Sequence, residues 1–183
     1  MADLAVALPP VLDLEGGYVD DPTDAGGMTY KGIARRYHPS SLVWSVIDAQ
    51  LKVGAPINDR LLDDLVWRFY RVNYWDRIQG DLIQDQALAD ELLDQAVNLG
   101  VHRAIEHLQR ALNALNNQGK RWPDMERDGK LGPQTLAAIE GARTYGLGKH
   151  LVTAIRSQQG VYYLERMEAR PINERFVGWF GRV

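Results

Sequence analysis

Apolar residues recur at the three-to-four spacing of an amphipathic helix along most of this chain. After Asn58, which reads as an N-cap, Leu61, Leu62, Leu65, Val66, Phe69 and Val72 form one stripe running toward Tyr74 and Trp75. A second stripe starts at Asp85 and continues through Leu88, Leu92, Ala96 and Leu99, with Gly100 placed as a left-handed stop. Ala104, Ile105, Leu108, Leu112 and Leu115 make a third. Pro133 occupies a first-turn position ahead of Leu136 and Ile139. A longer pattern runs from Leu147 to Met167 and closes at Pro171, and "NERFVGWFGRV" reads as a short terminal helix. The exception is "LEGGYVDDPTDAGGMTYKGI", residues 14–33, where glycine pairs on either side of Pro22 predict turns and a small hairpin. The pattern therefore predicts a mainly α fold with one small Gly-rich hairpin region.

Composition narrows this picture only at its edges. With 183 residues and 45% hydrophobic content the chain has ample material for a buried core. Its 21 Lys and Arg against 24 Asp and Glu give a formal net charge of -3, without the basic excess that draws a protein to nucleic acid or an anionic membrane. No cysteine is present, which removes disulfides, thiolate chemistry and Cys-based zinc sites. The opening "MADLAVALPPVLDLEGG" has no basic leading region, and Pro9, Pro10 and Asp13 break its apolar run, so neither a Sec signal nor a membrane span is expected. There is no low-complexity segment and no internal repeat. The one seam is "NNQGKRWPDMERDGKLG".

The hairpin stretch carries the chemistry. Cleaving a glycosidic bond takes one carboxylic acid to protonate the leaving oxygen and a second carboxylate to activate water or stabilise the oxocarbenium-like transition state. Glu15 falls at the end of the first helical segment, and Gly16 and Gly17 let the backbone turn while leaving room for a sugar ring. Asp24 and Thr29 follow on a segment able to fold back over Glu15. Partial burial of Glu15 would suit it to the acid's role. The competing reading makes Asp20, Asp21 and Asp24 ordinary turn residues and Glu15 a surface residue at a helix end.

"EGGYVDDPTDAGGMTYKGI" resembles the N-terminal signature of glycoside hydrolase family 108, N-acetylmuramidases found among phage endolysins and bacterial proteins once labelled secretion activators. More distantly it is similar to the Glu, Asp and Thr constellation of phage lysozymes. The likeness continues in "YRVNYWDRI" and "ELLDQAVNLGVHRAIEHLQRALN", and in "RDGKLGPQTLAAI" with "FVGWFGRV", which look like the peptidoglycan-binding region that follows in this family. The resemblance implies a lysozyme-like helical fold. Residues 1–90 would form the muramidase region and 91–183 the peptidoglycan-binding region, packed into one compact unit. It places the general acid on Glu15, with Asp24 and Thr29 as helpers. Pro9 and Pro10 sit where the family runs a continuous helix into the glutamate, and "GGMTYKGI" orders its Tyr and Lys differently from the commoner forms.

Further positions each carry two readings. Asp94 and Asn98 are four apart and share a helix face; with Gln109 they would offer hydrogen bonds to sugar hydroxyl and acetamido groups, or else tie helices together. Tyr18 and Tyr30 flank the proposed carboxylates and are offered for stacking on pyranose faces, Trp75 less so; packing is the alternative. "DMERDGKLGPQT" approaches a calcium loop at Asp124, Glu126, Asp128 and Gly129, but Thr135 stands where a bidentate glutamate is required. The family resemblance makes it a tight Asp-Gly turn before a Pro-started helix. His38, His102, His107 and His150 lack zinc-peptidase spacing, and no serine lies in G-x-S-x-G.

The expectation is a peptidoglycan hydrolase that cleaves the β-1,4 bond between N-acetylmuramic acid and N-acetylglucosamine. It needs no metal or organic cofactor. Its partners would be glycan strands, with no nucleic acid and no stable membrane insertion, and the protein would be a monomer. A phage or prophage endolysin made in the host cytoplasm and acting on the wall after release or export fits this best. The alternatives are a lytic transglycosylase, which leaves anhydro ends and can dispense with Asp24, and a non-catalytic peptidoglycan-binding protein.

Overall fold

The structure is a computed structural model that describes residues 1–20, 27–57 and 60–183. Asn58, expected as an N-cap, and Asp24 lie outside the described residues. The fold is mainly α and lysozyme-like; among the described residues the strands are short and fall within residues 18–34. The chain divides into two compact units, residues 7–73 and residues 74–183 together with 1–6. Among the described residues no helix is long and apolar enough to cross a membrane.

Helix α1 runs from Leu4 to Glu15 and carries Pro9 and Pro10 inside it. Asp3 starts it, its carboxylate accepting from the Ala5 amide at 2.8 Å. Each proline removes the amide that would bond four residues back, on Ala5 and Val6. Those two residues and both prolines are exposed, so water can take the freed carbonyls and the helix reaches Glu15 without a break.

In the unit of residues 7–73, three two-residue strands follow: β1 (Tyr18–Val19), β2 (Thr29–Tyr30) and β3 (Ile33–Ala34), antiparallel in that order. Tyr30 opposes both Tyr18 and Ile33, and Thr29 opposes both Val19 and Ala34, so these two sets face opposite sides of the sheet. Lys31 and Gly32 close the β2–β3 hairpin with φ of 44° and 74°, the pair of positive values a type I′ turn requires. Helix α2 (Leu42–Val53) and helix α3 (Arg60–Tyr70) complete the unit. Its core is Leu8, Val11, Tyr30, Ile33, Trp44, Ile47, Leu62, Val66 and Tyr70. The stripe running toward Trp75 ends in a π-helical turn, Arg71–Trp75, and Asn73 donates its side-chain amide to the Phe69 carbonyl at 2.8 Å.

The other unit is built on α4 (Gln86–Leu99), α5 (Val101–Leu115), α6 (Pro133–Thr144) and α7 (Gly148–Ala169). Asp85 caps α4 by accepting from the amides of Ala87 and Leu88, and Pro133 is the first residue of α6. Gly100 is the only residue between α4 and α5, and its φ of 90° and ψ of 146° differ from the left-handed stop expected. Extended backbone at positive φ is open essentially to glycine alone. The terminal segment is a 3₁₀ helix, Pro171–Arg182, interrupted at Phe176. Trp75 is fully buried and donates its indole N–H to Asp81 at 2.7 Å, a core role.

Candidate active site

Glu15 is the last residue of α1, and Gly16 leaves the helix with a φ of 75°. The glutamate is half-buried. Its carboxylate lies against the backbone of Gly32: a Cβ built there would meet Glu15 Oε2 at 2.7 Å and Tyr70 Oη at 2.5 Å. Only glycine leaves that volume to the carboxylate and the phenol, and only glycine takes the positive φ there without strain. Gly16 and Gly17 have no described atom within 4 Å of the corresponding positions.

The hairpin tip is held from α3. Tyr70, 1% exposed, donates its hydroxyl to the Lys31 carbonyl at 2.8 Å, and the Lys31 ammonium bonds the Asp63 carboxylate at 2.7 Å. That bond lifts the Lys31 pKa above its ordinary value. Both contacts fall on the non-glycine residue with positive φ, and they stabilise the turn that puts Gly32 against Glu15. At the other end of the sheet Arg35 makes a bidentate pair with Asp48 of α2 at 2.6 and 2.7 Å, which raises the arginine's pKa and lowers that of the aspartate.

Thr29 is half-buried on β2, its hydroxyl 3.4 Å from the Gly27 carbonyl, on the sheet face opposite Tyr18 and Tyr30. Tyr18 is half-buried, and burial followed by the nearby Asp20 carboxylate raises its pKa. Tyr30 is 3% exposed and packs in the core, so its ring presents no open face for stacking in this structure.

The polar row on α4 and α5 is engaged within the helical unit. Asp94 accepts from Arg182 at 2.6 Å and from Gln159 at 3.1 Å. Asn98 donates to the Tyr163 hydroxyl, whose pKa burial pushes up to about 12. Gln109, 2% exposed, donates to the Asp128 carboxylate and the Lys130 carbonyl and accepts from the Gly129 amide. It thereby organises the Asp-Gly turn before α6. Asp124 accepts from Asn116, and among the described residues no cluster of acidic or histidine side chains is arranged to hold a metal.

Sequence reasoning did not single out Gly32, Tyr70 or Lys31. The Lys31-Gly32 pair between two short alternating runs was the available hairpin signal; no pattern in the sequence links Tyr70 to it.

Comparisons with known proteins cover both parts of the chain. The family model described as Glycosyl hydrolase 108 matches residues 8–100, and one described as Predicted Peptidoglycan domain matches residues 103–183. The solved structure of SagA from Brucella abortus is similar, with 25% identity and a TM-score of 0.53, covering 97% of this chain and 95% of that one. No curated protein sequence matches significantly. The first match begins just before the prolines of α1 and takes in Glu15, the hairpin and Tyr70, so the chain belongs to the glycosyl hydrolase 108 family and is a glycoside hydrolase of peptidoglycan.

Proposed function

We propose that this hydrolase is an N-acetylmuramidase that cleaves the β-1,4 bond between N-acetylmuramic acid and N-acetylglucosamine. Glu15 is the general acid, giving its proton to the glycosidic oxygen as the bond to the anomeric carbon breaks. Asp24 stabilises the positive charge that develops or takes a proton from the attacking water, and Thr29 holds that water or Asp24. Hydrolysis is assigned to residues 1–90 and wall binding to residues 91–183. The observation that carries the reading is the setting of Glu15: a half-buried carboxylate at a helix end, packed against the backbone of Gly32 beside the Tyr70 hydroxyl. A carboxyl so placed can meet a glycosidic oxygen from one side while its own orientation is fixed. A phage or prophage endolysin, acting as a monomer on the wall after release or export, is the biological role this reading suits.

The test is mass spectrometry of borohydride-reduced muropeptides released from purified sacculi by the wild type and by Glu15→Gln. Reduced muramic acid ends that disappear with the variant support a muramidase. Anhydro-muramic ends would make it a lytic transglycosylase. No cleavage by folded wild type would leave a wall-binding protein.

A further inference from the structure

The helical unit contains a polar pocket of about 210 Å³, lined by Glu106, His107 and Arg110 of α5, by Arg127 of the loop before α6, and by Gln158 of α7. All five lie within residues 103–183, which match the peptidoglycan domain. Neither Arg110 nor Arg127 has a hydrogen-bond or ion-pair partner among the described residues, whereas other arginines of this unit, Arg143, Arg156 and Arg182, are paired with Glu140, Glu91 and Asp94.

The pocket wall is fixed from behind. Gln95 donates its amide to Glu91 and to the Ile155 carbonyl, so its oxygen is the acceptor for His107 at 2.9 Å. The His107 proton therefore sits on Nδ1, and Nε2 is a bare acceptor. Burial, with the charge of Arg103, depresses the imidazole to about 4, so the ring is neutral at physiological pH. Gln158 spends its amide N–H groups on the carbonyls of His107 and Ala154, and its oxygen is buried without a donor. Glu106 lies 3.3 Å from His102 at the exposed rim.

The lining thus offers two unpaired guanidinium groups, and acceptors that lack donors. The sugars of a peptidoglycan glycan carry hydroxyl and acetamido groups, and where a stem peptide is attached the lactyl carboxyl of N-acetylmuramic acid is an amide; the carboxylates and free amines then belong to the stem peptide. We infer that this pocket binds the peptidoglycan stem peptide, with Arg110 and Arg127 on its carboxylates and its N–H groups toward His107 and Glu106. This rests on the reading of the protein as a peptidoglycan hydrolase and adds which part of the polymer the second region grips.

The experiment is isothermal titration of the full chain, in its Glu15→Gln form, with the synthetic tripeptide L-Ala–γ-D-Glu–meso-diaminopimelate. Parallel titrations use the disaccharide of N-acetylglucosamine, which carries no carboxylate, and inorganic phosphate. Saturable tripeptide binding is expected, weakened at least about tenfold by Arg110→Gln with Arg127→Gln, and less by either alone. Disaccharide binding should not change. Both arginines are exposed, and thermal melts check that the variants fold. Absence of tripeptide binding, equal binding by the double variant, or displacement by phosphate at matching concentration would overturn the inference. Failure of the muramidase reading is seen separately, in the muropeptides released by wild type, which the arginine variants do not enter.

Discussion

In residues 7–73, Glu15 is positioned by backbone: a helix end, a glycine with no side chain, and a turn held by the Tyr70 hydroxyl. In the helical unit, Asp94, Gln95, Asn98 and Gln159 are positioned by one another and by Arg182, Tyr163 and His107. Polar residues on a regular helix face have neighbours at fixed distances and become glue between helices. A carboxylate at the edge of an irregular, glycine-rich segment is held by backbone contacts instead. Abundant polar residues therefore mean different things in the two units, and substitutions that separate activity from stability test that difference.

The largest effect is expected for Glu15→Gln. General acid catalysis contributes about 10²–10⁴-fold, and turbidity loss of sacculi should fall by that order while the melting temperature holds. A comparable loss of fold would mean that Glu15, like the residues of the helical unit, serves as structural glue.

Asp94→Ala should do the reverse. It leaves the Arg182 guanidinium, 13% exposed, short of its carboxylate, and breaking such a mostly buried pair costs about 3 kcal/mol. Chemical denaturation should show that loss, with hydrolysis per folded molecule unchanged. A selective drop in hydrolysis with normal stability would return Asp94 to the substrate.

These contrasts bear on what the sequence made readable. The caps Asp85 and Pro133 and the stripes of α4 and α5 are local signals, and the elements follow them closely. Helix α2 went unread, although Val43, Trp44 and Ile47 are its buried face and Gly54 its left-handed cap, because the stripe is short and follows an irregular His38-Pro39 segment. The place of Glu15 at the end of a helix, before a glycine-rich hairpin, was legible because a specific motif surrounds it. The Gly32–Tyr70 contact was not, since it joins a turn to a helix far along the chain. Spacing put Asp94 and Asn98 on one face of α4, but nothing in a spacing says what that face meets.

Gly32→Ala sharpens the backbone side of the comparison. A methyl group there must displace both Glu15 Oε2 and Tyr70 Oη and hold a φ of 74°, at a cost of about 1–3 kcal/mol. Hydrolysis per folded molecule should drop as well if Glu15, the group displaced, is the acid proposed above. Gly17→Ala is the control, with no described atom within 4 Å and no positive φ, and it should fold as stably as wild type. Equal behaviour of the two variants in denaturation and turbidity assays would remove Gly32 from the site.

The smallest effect lies in the helical unit and depends on pH. Burial and Arg103 lower the His107 pKa from the ordinary 6.5 to about 4, with Arg110 acting in the same sense and Glu106 against it. Above 6.5 the ring is neutral in both folded and unfolded chains, and the stability it contributes is complete. As the pH falls toward 4 the unfolded chain takes up a proton that the folded chain refuses, so that contribution is lost across this window. His107→Gln can still donate to Gln95 but has no such proton to take. Between pH 7.5 and pH 5 the wild-type melting temperature should therefore fall further than that of the variant. Parallel falls would place the titration on other groups and leave His107 a hydrogen-bond donor whose charge state does not couple to folding.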